Sequence, residues 1–172
     1  DGKSDQDRVE VSHILYAPNN DARNARKLDP ADPAWAAAEA EANAAFAQLQ
    51  AGADFATLAK GSDDASSAKQ GGLLTWAPKG TYTQAFDDAI WADGLKRGDL
   101  IGPIKTEFGY HIIRFEARQQ SLKFRLELLA KQLAAPGTDF ESAVKAAIAG
   151  GVDDPFTGMT FTHQGWVARY SI

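Results

Sequence analysis

Gly102-Pro103-Ile104-Lys105-Thr106-Glu107-Phe108-Gly109-Tyr110-His111-Ile112-Ile113 reads as two strands joined by a tight turn. Ile101 to Thr106 suits an extended segment and Phe108-Gly109 a hairpin-length connection. From Tyr110 to Ala117 a period-2 pattern puts His111, Ile113, Phe115 and Ala117 on one side. A histidine on an apolar strand face is ordinarily a satisfied core residue, and one alone says little. The chain has a second. Residues 8–16 alternate as strictly, with Val9, Val11, His13 and Leu15 on one face and Glu10, Ser12, Ile14 and Tyr16 on the other. Two of the three histidines therefore stand at the two ends of the stretch 9–117, on strands that a fold could set side by side.

Between them, Ala17-Pro18-Asn19-Asn20-Asp21 is a turn cluster leading into a long polar loop with Arg23, Arg26 and Lys27. Asp32 then caps a helix with Pro33 at its first position, and Trp35, Ala38, Ala42, Phe46 and Leu49 form its apolar stripe until Gly52 stops it. Asp54 starts a short helix through Phe55, Leu58 and Ala59, and Asp63 to Ala68 a further turn. Gly71-Gly72 marks backbone with unusual dihedrals. Leu73 to Ala77 suits a short strand, and Thr83 to Ala92 a helix burying Phe86 and Ile90. The order β-α-α-α-β-α-β-β predicts an α+β domain over residues 8–117 with a mainly antiparallel four-stranded sheet, and a C-terminal extension over 118–172.

Composition narrows the function classes. With 172 residues, 44% of them hydrophobic, the chain can bury a core. The net charge of −5, with Lys and Arg scattered, provides no electrostatic footprint for nucleic acid. The absence of cysteine removes disulfides and thiolate metal sites, the histidine spacing is not that of a metal site, and nothing calls for a cofactor. No apolar run approaches the roughly 18 residues of a membrane span, and Asp1 to Asp7 is too polar for a signal peptide, so any anchoring segment is expected outside this sequence.

The segments His13-Ile14-Leu15, Gly52-Ala53-Asp54-Phe55-Ala56-Thr57-Leu58-Ala59, Ser66-Ser67-Ala68-Lys69-Gln70-Gly71-Gly72, Phe86 with Ala89, and the opening stretch resemble, in order and spacing, the parvulin-type peptidyl-prolyl cis/trans isomerases. The Gly-Ala-Asp-Phe phrase and the helix from Asp32 are similar to the bacterial extracytoplasmic branch that includes the PpiD, SurA and PrsA foldases. That likeness implies a periplasmic or cell-envelope location and, as partners, proline-containing unfolded or partly folded polypeptides. It also implies roles: His13 and His111 as paired imidazoles under the substrate, Thr106 hydrogen-bonded into the pair, and Asp64 at the family's acidic position. Leu74, Tyr82, Phe86 and Phe108 would bind the proline.

The residues themselves leave alternatives open. Asp63 adjoins Asp64, and a one-residue shift would exchange them; Asp64 also suits a helix cap. Thr106 suits a solvent-facing strand position. Arg23, Arg26 and Lys27 suit a phosphate-reading loop or a solvated one. The family's usual Gly-Gly-Asp-Leu-Gly-Trp-Phe is here Gly71-Gly72-Leu73-Leu74-Thr75-Trp76-Ala77, and Tyr82 stands where methionine or leucine is common, so a catalytically weak chaperone module is the alternative function. In the extension, Phe124 to Ala130, Gly137-Thr138-Asp139-Phe140 and Gln164-Gly165-Trp166-Val167-Ala168 echo the first unit. A truncated repeat there would expose sheet edges and favour a homodimer; a helix and hairpin is the other reading.

Overall fold

The computed structural model describes residues 6–121, positions 137 and 142, and the backbone of two C-terminal strands. The chain divides into two compact units, one spanning residues 8–117 and the other residues 1–7 with 118–172. The first unit carries β1 (Arg8–Tyr16), α1 (Ala22–Ala25), α2 (Pro33–Gln50), α3 (Phe55–Ala59), α4 (Ala65–Ala68), β2 (Ala77–Pro78), α5 (Gln84–Ile90), β3 (Leu100–Thr106) and most of β4 (Gly109–Gln119). The sheet order is β2-β1-β4-β3, with the two outer pairs antiparallel. The strands bearing His13 and His111 are thus hydrogen-bonded neighbours at its centre.

Alternation along these central strands builds two cores. On one face Val9, Val11, Ile113 and Phe115 meet Phe86 and Ile90 of α5. On the other, Ile14 and Ile112 meet Ala45 and Leu49 of α2 and Phe55 and Ala59 of α3. Each fully buried isoleucine contributes about 1.5–3 kcal/mol by leaving water. Residue parity places both histidines on the α5 face, at the end of the first core.

Helix α2 begins as its sequence dictates: Asp32 accepts a 2.8 Å hydrogen bond from the Ala34 N–H, and Pro33 has no N–H to leave unpaired. Its buried stripe is Trp35, Ala38, Ala42, Ala45 and Leu49, a 3-4-3-4 spacing that places Phe46 one step round and half-buried. Two expectations need correction. The segment after β1 is not a plain loop, because Asp21 caps the four-residue α1 by accepting from the Asn24 N–H and Ala25 is fully buried beside Trp35. The strand expected over Leu73 to Ala77 is broken. Leu73 bridges Ser12 and Ala77 pairs with Val9, registers that differ by one residue, so one extra residue bulges out and Trp76 lies 38% exposed.

Two glycines let backbone close on the histidine strands. Gly72 has φ +87, and a Cβ there would lie 2.5 Å from the His13 carbonyl oxygen, while its own carbonyl accepts the His13 N–H at 2.8 Å. Gly102 has φ +113, and a Cβ would lie 2.6 Å from the His111 carbonyl oxygen. In the second unit, β5 (Met159–Thr162) and β6 (Val167–Tyr170) pair antiparallel. The echoed segments Phe124 to Ala130, Thr138 to Phe140 and Gln164 to Trp166 lie outside the described residues.

Substituting Gly72→Ala should lower unfolding free energy by roughly 2–5 kcal/mol, the sum of left-handed backbone strain and overpacking. Gly52→Ala, at φ +94 with nothing within 4 Å of the new Cβ, should cost only about 1–2 kcal/mol. Urea denaturation of the two variants checks this; equal losses would contradict the close approach at His13.

Candidate active site

His13 and His111 lie against each other with Nδ1 to Nδ1 at 3.2 Å, their rings nearly parallel at 17° and centroids 5.4 Å apart. Each is only 6% exposed. Phe86 from α5 stands edge-on to both, at 5.9 Å and 5.2 Å between centroids. Two imidazoles in so apolar a setting must have their nitrogens satisfied internally. His13 Nε2 lies 2.9 Å from Asp64 Oδ2 and 3.0 Å from Ser67 Oγ, and His111 Nε2 lies 2.8 Å from Thr106 Oγ1. All four ring nitrogens are partnered.

In the state where each ring carries one proton, the Asp64 carboxylate fixes the direction of the run, because a carboxylate only accepts. The Phe108 N–H donates to Thr106 Oγ1 at 3.2 Å, and the Thr106 hydroxyl donates to His111 Nε2. His111 Nδ1–H donates to His13 Nδ1, and His13 Nε2–H donates to the Asp64 carboxylate. Thr106 is buried, not a solvent-facing strand residue. Asp64 serves as cap and site at once: Oδ1 accepts from the Ser66 N–H and hydroxyl, and Oδ2 faces His13 and Ser67. Asp63 does different work, accepting from the Ala17 N–H at 2.7 Å and tying the end of β1 to the turn before α4.

Above the imidazole pair opens a pocket of about 500 Å³. Leu74, Tyr82, Phe86 and Phe108 all line it, with His13, His111 and Asp64. Thr106 reaches it through His111 and is not itself a wall. Arg23, Arg26 and Lys27 do not line it, and the Lys27 ammonium donates to the Asn24 side chain.

The sequence profile for the rotamase, PpiC-type PPIase domain, matches residues 13–117. The chain belongs to this family. It is 43% identical over 58 residues to foldase protein PrsA of Exiguobacterium sibiricum, covering 34% of this chain and 19% of that one. It is 42% identical over 50 residues to chaperone SurA of Chromohalobacter salexigens, covering 29% and 11%. These matched stretches span less than a fifth of either relative. A crystal structure of a PpiC-type peptidyl-prolyl cis-trans isomerase domain shares the fold, with a TM-score of 0.55 over 67% of this chain and 94% of that one at 20% identity.

Three residues of this PpiC-type site escaped the sequence reading. Ser67 lies three residues after Asp64, a spacing that one turn of helix closes, and its hydroxyl donates to Asp64 at 2.6 Å. Asp87 stands beside a second acid, Asp88, on α5. It is 4% exposed and accepts the Gly80 and Tyr82 backbone N–H groups, which holds Tyr82 tilted on Phe86 with centroids 4.8 Å apart. Glu107 sits in the two-residue turn between β3 and β4 and lines the pocket from an exposed position. Ser67 and Glu107 each had a local signal, the three-residue spacing from Asp64 and a place inside the quoted hairpin, whereas Asp87 had none.

Burial pushes His111 down from 6.5 to about 3, the adjacent His13 pushes the same way, and Asp64 opposes them. The Asp64 carboxyl is held far below the usual carboxylate range by the His13 hydrogen bond first, with the serines adding to it. His111 therefore stays neutral, one ring removed from an ionised Asp64 carboxylate. In the unfolded chain His111 binds a proton below about pH 6.5, whereas the folded chain excludes it until about 3. Its contribution to stability is fully present above 6.5 and is lost as pH falls, at about 1.4 kcal/mol per unit. Between pH 7 and 5 the parent should lose about 2 kcal/mol more unfolding free energy than His111→Gln in urea titrations. Parallel losses in both proteins would show that His111 titrates normally.

Proposed function

We propose that residues 8–117 accelerate cis/trans rotation about Xaa-Pro bonds in unfolded or partly folded polypeptides, without a cofactor. The observation that carries this reading is the closed run of hydrogen bonds from Thr106 through His111 and His13 to Asp64, beneath a pocket with apolar walls. Rotation about the prolyl amide crosses a barrier of about 18–20 kcal/mol because the C–N bond has partial double-bond character. No bond has to break. Conjugation is lost in the twisted state, so a site lowers the barrier by gripping the proline ring, excluding water and presenting fixed dipoles to the twisted amide. Leu74, Tyr82, Phe86 and Phe108 supply the grip. His13, His111, Asp64 and Thr106 supply the fixed dipoles, and because every ring nitrogen is engaged, neither imidazole has a spare lone pair for attack.

Relatives named as a foldase and a chaperone support action on folding chains, and with them a cell-envelope location. Among the described residues, no helix is long and apolar enough to cross a membrane. Self-association through residues 118–172 belongs to the same proposal and rests on the sequence echo there; sedimentation of the full chain tests it.

A holdase with negligible turnover is the second reading, favoured by one observation: Tyr82, half-buried on Phe86, fills part of the proline pocket with a bulky ring. Turnover separates the two. The parent should accelerate prolyl isomerisation in Xaa-Pro peptides, and His111→Ala, folded by circular dichroism, should lose roughly ten- to hundredfold in kcat/KM, about 1.4–2.7 kcal/mol of barrier lowering. A folded, peptide-binding parent without acceleration would leave the holdase standing.

A further inference from the structure

We propose that Glu107 sets the class of segment the pocket accepts, favouring prolyl bonds flanked by lysine or arginine and disfavouring acidic or phosphorylated flanks. This rests on the reading of the pocket as the site that holds proline. Among the described residues, the charged side chains lining it are Asp64 and Glu107, both carboxylates, with no lysine or arginine beside them. Asp64 is already engaged on both oxygens by His13, Ser66 and Ser67. Glu107 is exposed and has no hydrogen bond or ion pair among the described residues, so its charge is available to a ligand. The cation nearest in sequence, Lys105, is occupied elsewhere: its ammonium lies over the Trp35 ring at 4.7 Å from the centroid and 5.6 Å from that of Tyr110.

The position of Glu107 is fixed by its surroundings. Thr106 pairs with Gly109, so Glu107 and Phe108 form the whole turn, and the Phe108 N–H is anchored on Thr106 Oγ1. Phe108 and Glu107 therefore reach the pocket together. In an extended peptide successive residues are about 3.3 Å apart. With the proline ring against Phe86 and Phe108, a neighbouring residue's side chain lies within reach of the rim carboxylate. An exposed charge pair of this kind changes affinity by about two- to fivefold in either sense. Lysine against glutamate beside the proline should therefore differ by about four- to twenty-five-fold at low ionic strength, and the difference should shrink in high salt as the screening length shortens.

The test compares kcat/KM for peptides with lysine, arginine, alanine, glutamate or phosphoserine before the proline, and a second set with the same residues after it. Parent and Glu107→Lys proteins are measured at low and high salt, and dissociation constants for the same peptides are taken by NMR titration. The expected result is a salt-sensitive preference for the cationic peptides in the parent that flattens or inverts in Glu107→Lys. Equal values across both sets, or a cationic preference that survives Glu107→Lys, would overturn the proposal. If no peptide is isomerised yet binding keeps the preference and loses it in the variant, the specificity stands and the isomerase reading falls. Tighter binding of phosphoserine peptides would overturn the specificity alone.

Discussion

The contact on which the rest of the site depends is between two nitrogens, His13 Nδ1 and His111 Nδ1, 3.2 Å apart in an apolar interior. An unpaired buried imidazole nitrogen costs about 1–3 kcal/mol, so the pair is tolerable only when both outer nitrogens also find partners. That requirement recruits structure from distant parts of the chain. Asp64 has to arrive from the start of α4 and Thr106 from the end of β3, and the two strands bearing the rings have to be neighbours in the sheet. Gly72 and Gly102 serve the same end, because each brings backbone against the carbonyl of one of the two histidines, where a side chain would collide. The fold around the site is a consequence of satisfying four ring nitrogens at once.

Much of this was legible in residue order. Strict alternation in residues 8–16 and 110–117 assigns both histidines to one face without knowledge of the partner strand, since parity fixes a strand's faces. The caps at Asp32 and Asp54 and the positive φ at Gly71 and Gly72 also follow from local rules. What local rules miss is structure shorter than their own period. Helix α1 has four residues and β2 two, and the bulge at Thr75-Trp76 comes from pairing with β1, which the segment's own composition does not encode. The choice between Asp63 and Asp64 was open for a related reason. Both are acids at a helix start, and only the three-dimensional arrival of His13 distinguishes the one that faces the imidazole from the one that ties down Ala17.

Asp87 illustrates a harder limit. Nothing in Phe86-Asp87-Asp88-Ala89 separates a buried acid from its exposed neighbour except helical phase, and the phase of the seven-residue α5 is set by Phe86 and Ile90 packing on the sheet. Once those two face inward, Asp87 is carried beside Phe86 to the segment before the helix, where it accepts two backbone N–H groups that would otherwise be left without partners. A carboxylate suits that place because it accepts from both, whereas a neutral side chain of similar size offers fewer acceptor sites.

The walls of the pocket therefore differ in how they are held. His13, His111 and Phe86 stand on regular elements whose interiors are fully packed, and rigid elements give precise sites. Tyr82 stands on a connection fixed mainly by one buried carboxylate, and Glu107 and Phe108 on a two-residue turn fixed by Thr106. Substitution at Tyr82 or Glu107 changes what the pocket touches without disturbing the run of hydrogen bonds under it, because neither side chain belongs to that run. The hydrogen-bonded run and the pocket wall formed by Tyr82, Glu107 and Phe108 are thus held by separate sets of contacts. A chain built this way can change the wall of its pocket while the imidazole pair stays in place.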